Sequence, residues 1–185
     1  MNLSNRLTLS RIVLTFLMMS LLFISGVAAK VLALFVFLAA CATDFLDGWF
    51  ARKRNEISDF GKIMDPVADK ILTLGAFLAF VELQLVYSWM VVIIVIREFL
   101  ITSMRLFAMR RGLVLAAESA GKHKTVSQMV TIFFILVFLV IRESAGQFEE
   151  GFKKGILLLM TVTVVLTLSS GFSYLWQNRK FIRSL

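Results

Sequence analysis

Six apolar runs punctuate the chain, at about Leu7–Val27, Val31–Phe50, Ile63–Val81, Tyr87–Met109, Ser127–Ile141 and Gly155–Leu175. With its flanks, each comes near the roughly 17–25 residues that a helix needs to cross a bilayer. The pattern predicts six membrane-spanning helices. Arg6 and Arg11 precede a first run that ends in Gly26-Val27-Ala28-Ala29, as a secretory signal does. Its length argues against cleavage, because the apolar part of such signals is usually about 7–15 residues and further runs follow at once here.

Charge interrupts two of these runs. Asp44 and Asp47 lower the hydropathy of the second, and Asp65 and Asp69 that of the third. A carboxylate in such a position is costly and marks a functional site that wants a cation. On a helix Asp44 and Asp47 are i and i+3, and Asp65 and Asp69 are i and i+4, so each pair shares a face. Side-by-side packing of the two helices brings all four together. With no His or Cys nearby, this oxygen-only set suits Mg²⁺ or Mn²⁺ better than zinc or copper. Gly48 and Gly61 leave backbone uncovered where a bulky ligand could approach, and Arg52, one turn beyond Gly48, offers a bidentate fork for phosphate. The constellation reads as a pyrophosphate site. Four separate N-caps would explain the aspartates but not the glycines and Arg52 in register with them.

Composition strengthens the membrane reading. The chain is 59% hydrophobic over 185 residues, above the roughly 45–50% of a soluble domain, and its mean hydropathy is +0.86. We expect an all-α integral membrane protein, one domain over 1–185, with no internal repeat. The single cysteine, Cys41, excludes an intrachain disulfide and reads as a packing residue. A net charge of +8 in so apolar a chain points to lipid head groups or a phosphorylated substrate, and not to nucleic acid.

Charge also sets the expected orientation. Six spans put both termini on one side, with Arg52, Lys53, Arg54, Arg110, Arg111, Lys122 and Lys124. The other side holds Lys30, Arg142, Lys153 and Lys154, diluted by Glu143, Glu149 and Glu150. The basic side is then cytoplasmic, and the four aspartates lie at that edge. Tyr87, Trp89, Tyr174 and Trp176 fall at run ends, where interfacial aromatics belong. The only proline, Pro66, either starts a helix capped by Asp65 or kinks one begun near Asp59; apolar residues from Phe60 to Met64 favour the second.

A second group follows the aspartates. Arg97-Glu98 and Arg105 lie in the fourth run, and Gly121-Lys122-His123-Lys124-Thr125, then Gln128, precede or open the fifth. Arg97 and Arg105, eight apart, share a helical face. Buried arginines want an anion. Glu98 supplies part of that charge; the remainder suits a small phosphorylated substrate held by Arg97, Arg105, Lys122 and Lys124, with the Thr125 hydroxyl available. Pairing with Glu98 alone, snorkelling, or topology would be the plainer readings of these cations.

The stretch Asp44 to Asp69 resembles the signature of the CDP-alcohol phosphotransferases at every fixed position: Asp, two residues, Asp-Gly, two, Ala-Arg, eight, Gly, three, Asp, three, Asp. Arg97-Glu98, Arg105 and Gly-Lys-x-Lys-Thr are similar to the branch that makes phosphatidylglycerophosphate, as, more briefly, are Asn5, Leu7-Thr8 and Arg11-Ile12. The resemblance implies six transmembrane helices around an intramembrane active site at the cytoplasmic side. It implies transfer of phosphatidyl from CDP-diacylglycerol to glycerol 3-phosphate. Two divalent cations would sit on Asp44, Asp47, Asp65 and Asp69, with Asp69 the general base. Gly48, Ala51, Arg52, Ser58 and Gly61, with Asn5 and Thr8, would bind CDP-diacylglycerol. A bacterial source and a homodimer among membrane lipids also follow from it. Serine, inositol phosphate or phosphatidylglycerol is the alternative acceptor, and a divalent-cation channel or transporter is the rival of another class, which leaves Gly48, Arg52 and the basic group without a task.

Overall fold

The computed structural model describes residues 3–54, 59–111, 120–145 and 149–182; the side chains at 3–8, 44–54, 59–69, 110, 120, 145, 149, 180 and 181 lie outside the description. The described residues form six long helices and one short one: α1 (Leu3–Phe23), α2 (Val27–Arg54), α3 (Asp59–Glu82), α4 (Ser88–Arg110), α5 (Ala120–Ala145), α6 (Glu149–Gln177) and α7 (Arg179–Ile182). Each apolar run contributes one long helix. The ends differ: α5 begins at Ala120 and α6 at Glu149, a turn or more before their apolar runs, because the backbone ladder continues into residues too polar for hydropathy to register. Helix α3 begins at Asp59 and is continuous through Pro66, so Pro66 does not open it.

Short turns make neighbours antiparallel. Between α1 and α2 the chain reverses at Gly26, whose φ of +108° suits a residue without a β-carbon. Lys30 closes this corner. Its ammonium, buried on the first turn of α2, donates to the carbonyls of Leu22 (2.6 Å) and Ile24 (2.7 Å), groups that the end of α1 would otherwise leave unsatisfied. Helix α3 ends in a Schellman arrangement, with Leu85 N–H donating to Phe80 O and Gln84 N–H to Val81 O, both at 2.9 Å. Gln84 occupies the left-handed position there, at φ 58°.

Helix α1 packs on α2 and α3, α5 on α2, α3 and α6, and α4 on α3 and α6. The core between them is Met18, Leu22, Phe77, Phe80, Ile94 and Leu136, with their neighbours. Gly75 lets α1 approach α3: a β-carbon there would lie 3.0 Å from Thr15 Cγ2 and 3.1 Å from Met19 Sδ. Along α5 and α6, Thr131 meets Thr163 while Phe134 and Phe138 meet Phe152, an antiparallel register.

The outward faces are as apolar as the core. Val92, Ile96 and Phe99 on α4, Val126, Val130 and Phe133 on α5, and Leu158, Val162 and Val165 on α6 are exposed, spaced by three and four so that each set forms a stripe. Water would penalise stripes of this extent, whereas lipid accepts them. Residues Gly121–Ser144 and Glu150–Gln177 are each long and apolar enough to cross a membrane. Among the interfacial aromatics, Tyr87, Trp89 and Trp176 are exposed, but Tyr174 is buried and serves packing instead.

Candidate active site

The signature divides between two helices. Asp44, Asp47, Gly48, Ala51 and Arg52 fall on the last half of α2, and Gly61, Asp65 and Asp69 on the first half of α3. The i, i+3 and i, i+4 intervals are therefore helical in both, as the spacing predicts. The side chains of these eight residues, like those of Asn5 and Thr8 on α1, lie outside the description, and Ser58 lies outside the described residues. The donor chemistry fits a hard divalent ion, with four carboxylates on two helices joined by residues 55–58.

Description of the side chains resumes at Lys70, the residue after Asp69, and here an ion-pair cluster begins. Its centre is Glu98 on α4, which is buried. Lys70 Nζ from α3 lies 3.4 Å from Oε2, Arg97 Nη1 lies 3.5 Å from Oε1, and Lys124 Nζ from α5 pairs with the same Oε1. Three helices converge on one carboxylate. Helix α6 joins them through Arg97, whose Nη2 donates to Ser170 Oγ at 3.1 Å, while Ser170 donates to the Thr167 carbonyl. Gly171 gives the arginine its path: a β-carbon there would stand 3.1 Å from Arg97 Cγ.

Three cations meet one carboxylate here, at a place largely closed to water. Guanidinium and ammonium groups gathered in this way are donors suited to the oxygens of a phosphate monoester.

The other residues expected to bind a phosphorylated substrate are spread more widely. Arg97 and Arg105 do share a face, since both meet α6, but Arg105 is exposed and stacks 5.5 Å above the ring of buried Tyr174. Because Arg97 meets Ser170 and Arg105 meets Tyr174, α4 and α6 run parallel. Lys122 is exposed, and Thr125 donates to the Gly121 carbonyl at 3.1 Å. Gln128, one turn beyond Lys124, is buried, and its Nε2 has no hydrogen-bond partner among the described residues.

Four participants were not anticipated from residue order: Lys70, Ser170, Gly171 and Tyr174. Lys70 carries a signal, a cation directly after the last aspartate. The small run Ser169-Ser170-Gly171 inside an apolar helix is another. Arg11 is also notable, being buried on α1, the helix that packs on both α2 and α3. A cavity of about 480 Å³ at the far end, lined by Gln84, Tyr87, Lys153 and Lys154 among others, contains none of these groups.

Known proteins resemble this chain over most of its length. The CDP-alcohol phosphatidyltransferase family model matches residues 1–172. The CDP-diacylglycerol–glycerol-3-phosphate 3-phosphatidyltransferase of Bacillus subtilis is 32% identical over 196 aligned residues, covering 99% of this chain and 98% of that protein. The Treponema pallidum protein of the same name is 37% identical over 153 residues, covering 81% and 71%. A probable phosphatidylglycerophosphate synthase of Mycobacterium tuberculosis is 35% identical over 176 residues, covering 94% and 79%. With a match across nearly its whole length and the signature divided between α2 and α3, the chain belongs to the CDP-alcohol phosphatidyltransferase family.

Proposed function

We propose that the protein transfers the phosphatidyl group of CDP-diacylglycerol to glycerol 3-phosphate, giving phosphatidylglycerophosphate and CMP. The names of its relatives support the donor and the acceptor alike. The observation that carries the acceptor is the gathering of Lys70, Arg97 and Lys124 around Glu98, with Lys70 one residue along α3 from Asp69. Serine has no phosphate for such cations to hold.

The chemistry follows from this arrangement. The primary hydroxyl oxygen of glycerol 3-phosphate bonds to the phosphorus that carries diacylglycerol. The bond from that phosphorus to the CMP oxygen breaks, Asp69 takes the hydroxyl proton, and CMP leaves as an anion. Arg97 and Lys124 hold the acceptor phosphate, with Arg105, Lys122 and Thr125 along its route from solvent. Gly48, Ala51, Arg52, Ser58 and Gly61, with Asn5 and Thr8, bind the nucleotide-lipid. Asp44, Asp47, Asp65 and Asp69 would hold two ions, Mg²⁺ or Mn²⁺, which when bound offset the charge of the pyrophosphate and of departing CMP. Helices α1–α6 cross the membrane with both ends of the chain in the cytoplasm, so a lipid donor reaches the site from the bilayer and a soluble acceptor from water.

Purified protein in detergent–lipid micelles tests this directly. CMP should appear only when CDP-diacylglycerol, glycerol 3-phosphate and a divalent ion are all present. Release of CMP with serine, inositol phosphate or phosphatidylglycerol in place of glycerol 3-phosphate would reassign the acceptor.

A further inference from the structure

We infer that the cavity at the end of the bundle away from the aspartate signature binds an anionic phospholipid, an inference that rests on the reading of α1–α6 as membrane-crossing. The cavity, of about 480 Å³, is lined by the turn from α3 to α4 and by the start of α6. That volume is within the roughly 300–1,000 Å³ of ligand pockets. Its inner wall is apolar, with Val86 and Met90 on one side and buried Ile156 and Met160 on the other. Its rim is polar and basic. Lys153 and Lys154, on the second turn of α6, are exposed there with Gln84 and Ser88. Lys154 makes no ion pair among the described residues. No described acidic side chain lines the cavity, and Glu82 and Glu150, near in sequence, lie outside the lining.

Charge and apolarity together select the occupant. A soluble anion leaves the apolar wall without a partner, and a neutral lipid leaves the lysines without one. An anionic phospholipid uses both, with phosphate oxygens at the ammonium groups and an acyl chain over the wall. The path for that chain leads outward. Leu157 lines the cavity and is also exposed, and Leu158, Val162 and Val165 continue the exposed apolar surface along α6. Tyr87 lines the rim and Trp89 lies between the lining residues Ser88 and Met90; both aromatics are exposed, as side chains that meet head groups are. Roughly 18 Å of helix separates Asp69 from Val81, which lines the cavity, so a lipid held here is distinct from the reacting donor.

Fluorescence of Trp89 tests this in the full chain, with Trp49 and Trp176 replaced by Phe and the protein reconstituted in phosphatidylcholine vesicles. Brominated phosphatidylglycerol, which quenches tryptophan on contact, should reach half-maximal quenching at a mole fraction about 5- to 25-fold lower than brominated phosphatidylcholine, on the basis of about fivefold for each lysine. Lys154→Gln should reduce that preference by about fivefold, and Lys153→Gln with Lys154→Gln should bring the two lipids within about twofold. CMP release should stay that of the parent reporter protein in both variants. Equal quenching by the two lipids, or a preference that survives the double substitution, overturns the inference. Fluorescence restored by millimolar inorganic phosphate also overturns it, since the occupant would then be a soluble anion. A chain recovered in the soluble fraction of lysed cells would refute the membrane reading itself, whereas a membrane-extracted chain without the lipid preference refutes only the site.

Discussion

Replacing Gly171 by Ala separates stability from acceptor binding at a single atom. The added β-carbon would stand 3.1 Å from Arg97 Cγ, 3.6 Å from Nε and 4.0 Å from Cδ. Carbon atoms prefer separations of about 3.5–4.0 Å, so the arginine stem must retreat by a few tenths of an ångström. Its far end is held by Ser170 Oγ at 3.1 Å and by Glu98 at 3.5 Å. A retreat of that size takes the first contact to the limit of a hydrogen bond and loosens the second. A hydrogen bond to a charged group contributes about 1.5–3 kcal/mol, and losing part of it is expected to cost about 0.7–1.4 kcal/mol of acceptor affinity. That corresponds to a KM for glycerol 3-phosphate about 3- to 10-fold higher. Alanine is preferred to glycine inside a helix by about 0.5–1 kcal/mol, which offsets the crowding, so the unfolding midpoint should hardly move. CMP release at varied glycerol 3-phosphate and varied CDP-diacylglycerol, with thermal unfolding in the same detergent, measures all three quantities. Gly151→Ala is the control, since nothing lies within 4 Å of its β-carbon, and it should leave both KM values alone. An unchanged acceptor KM for Gly171→Ala, or equal rises in both KM values, would refute the reasoning.

Three further perturbations test other links. Thr131 gives its hydroxyl hydrogen to the Ser127 carbonyl at 2.8 Å, so the 3.0 Å contact with Thr163 is donated by Thr163. Thr131→Val then strands the Thr163 hydroxyl and should destabilise by about 1 kcal/mol, against a few tenths for Thr163→Val; chemical denaturation giving the reverse order would exclude this direction of donation. Lys30→Met removes two charged hydrogen bonds from the end of α1 and should lower stability by about 2–4 kcal/mol. Glu143→Gln, which loses only a 3.9 Å ion pair, should have a much smaller effect in the same unfolding assay, and equal losses would contradict it. Finally, Asp69→Asn should reduce kcat by about 10²- to 10⁴-fold with little change in unfolding midpoint, and EDTA should stop CMP release until Mg²⁺ or Mn²⁺ is restored; activity surviving either treatment would remove Asp69 or the ions from the reaction.

Much of this protein was legible in residue order because the relevant information is local. A helix closes its hydrogen bonds within one segment, so six apolar runs were enough to anticipate six long helices. The aspartate intervals are likewise local, and α2 and α3 contain them as spacing required. Helix ends were less legible, as at Ala120 and Glu149, because hydropathy follows the apolar character of side chains and not the reach of the backbone ladder.

Partnership was decided by tertiary structure. From its neighbours alone Glu98 was expected to serve Arg97, yet it also binds Lys70, 28 positions earlier, and Lys124, 26 positions later. Arg97 reaches Ser170 across 73 positions, and Arg105, on the same face, goes to Tyr174, which is buried beneath it and not at the interface. The rotation and depth at which one helix meets the next select those partners, and both come from packing of whole apolar faces, to which no short motif contributes more than a small part. Order along the chain determined which charges this protein carries and which runs become helices; which charges meet was decided only when the helices closed around Glu98.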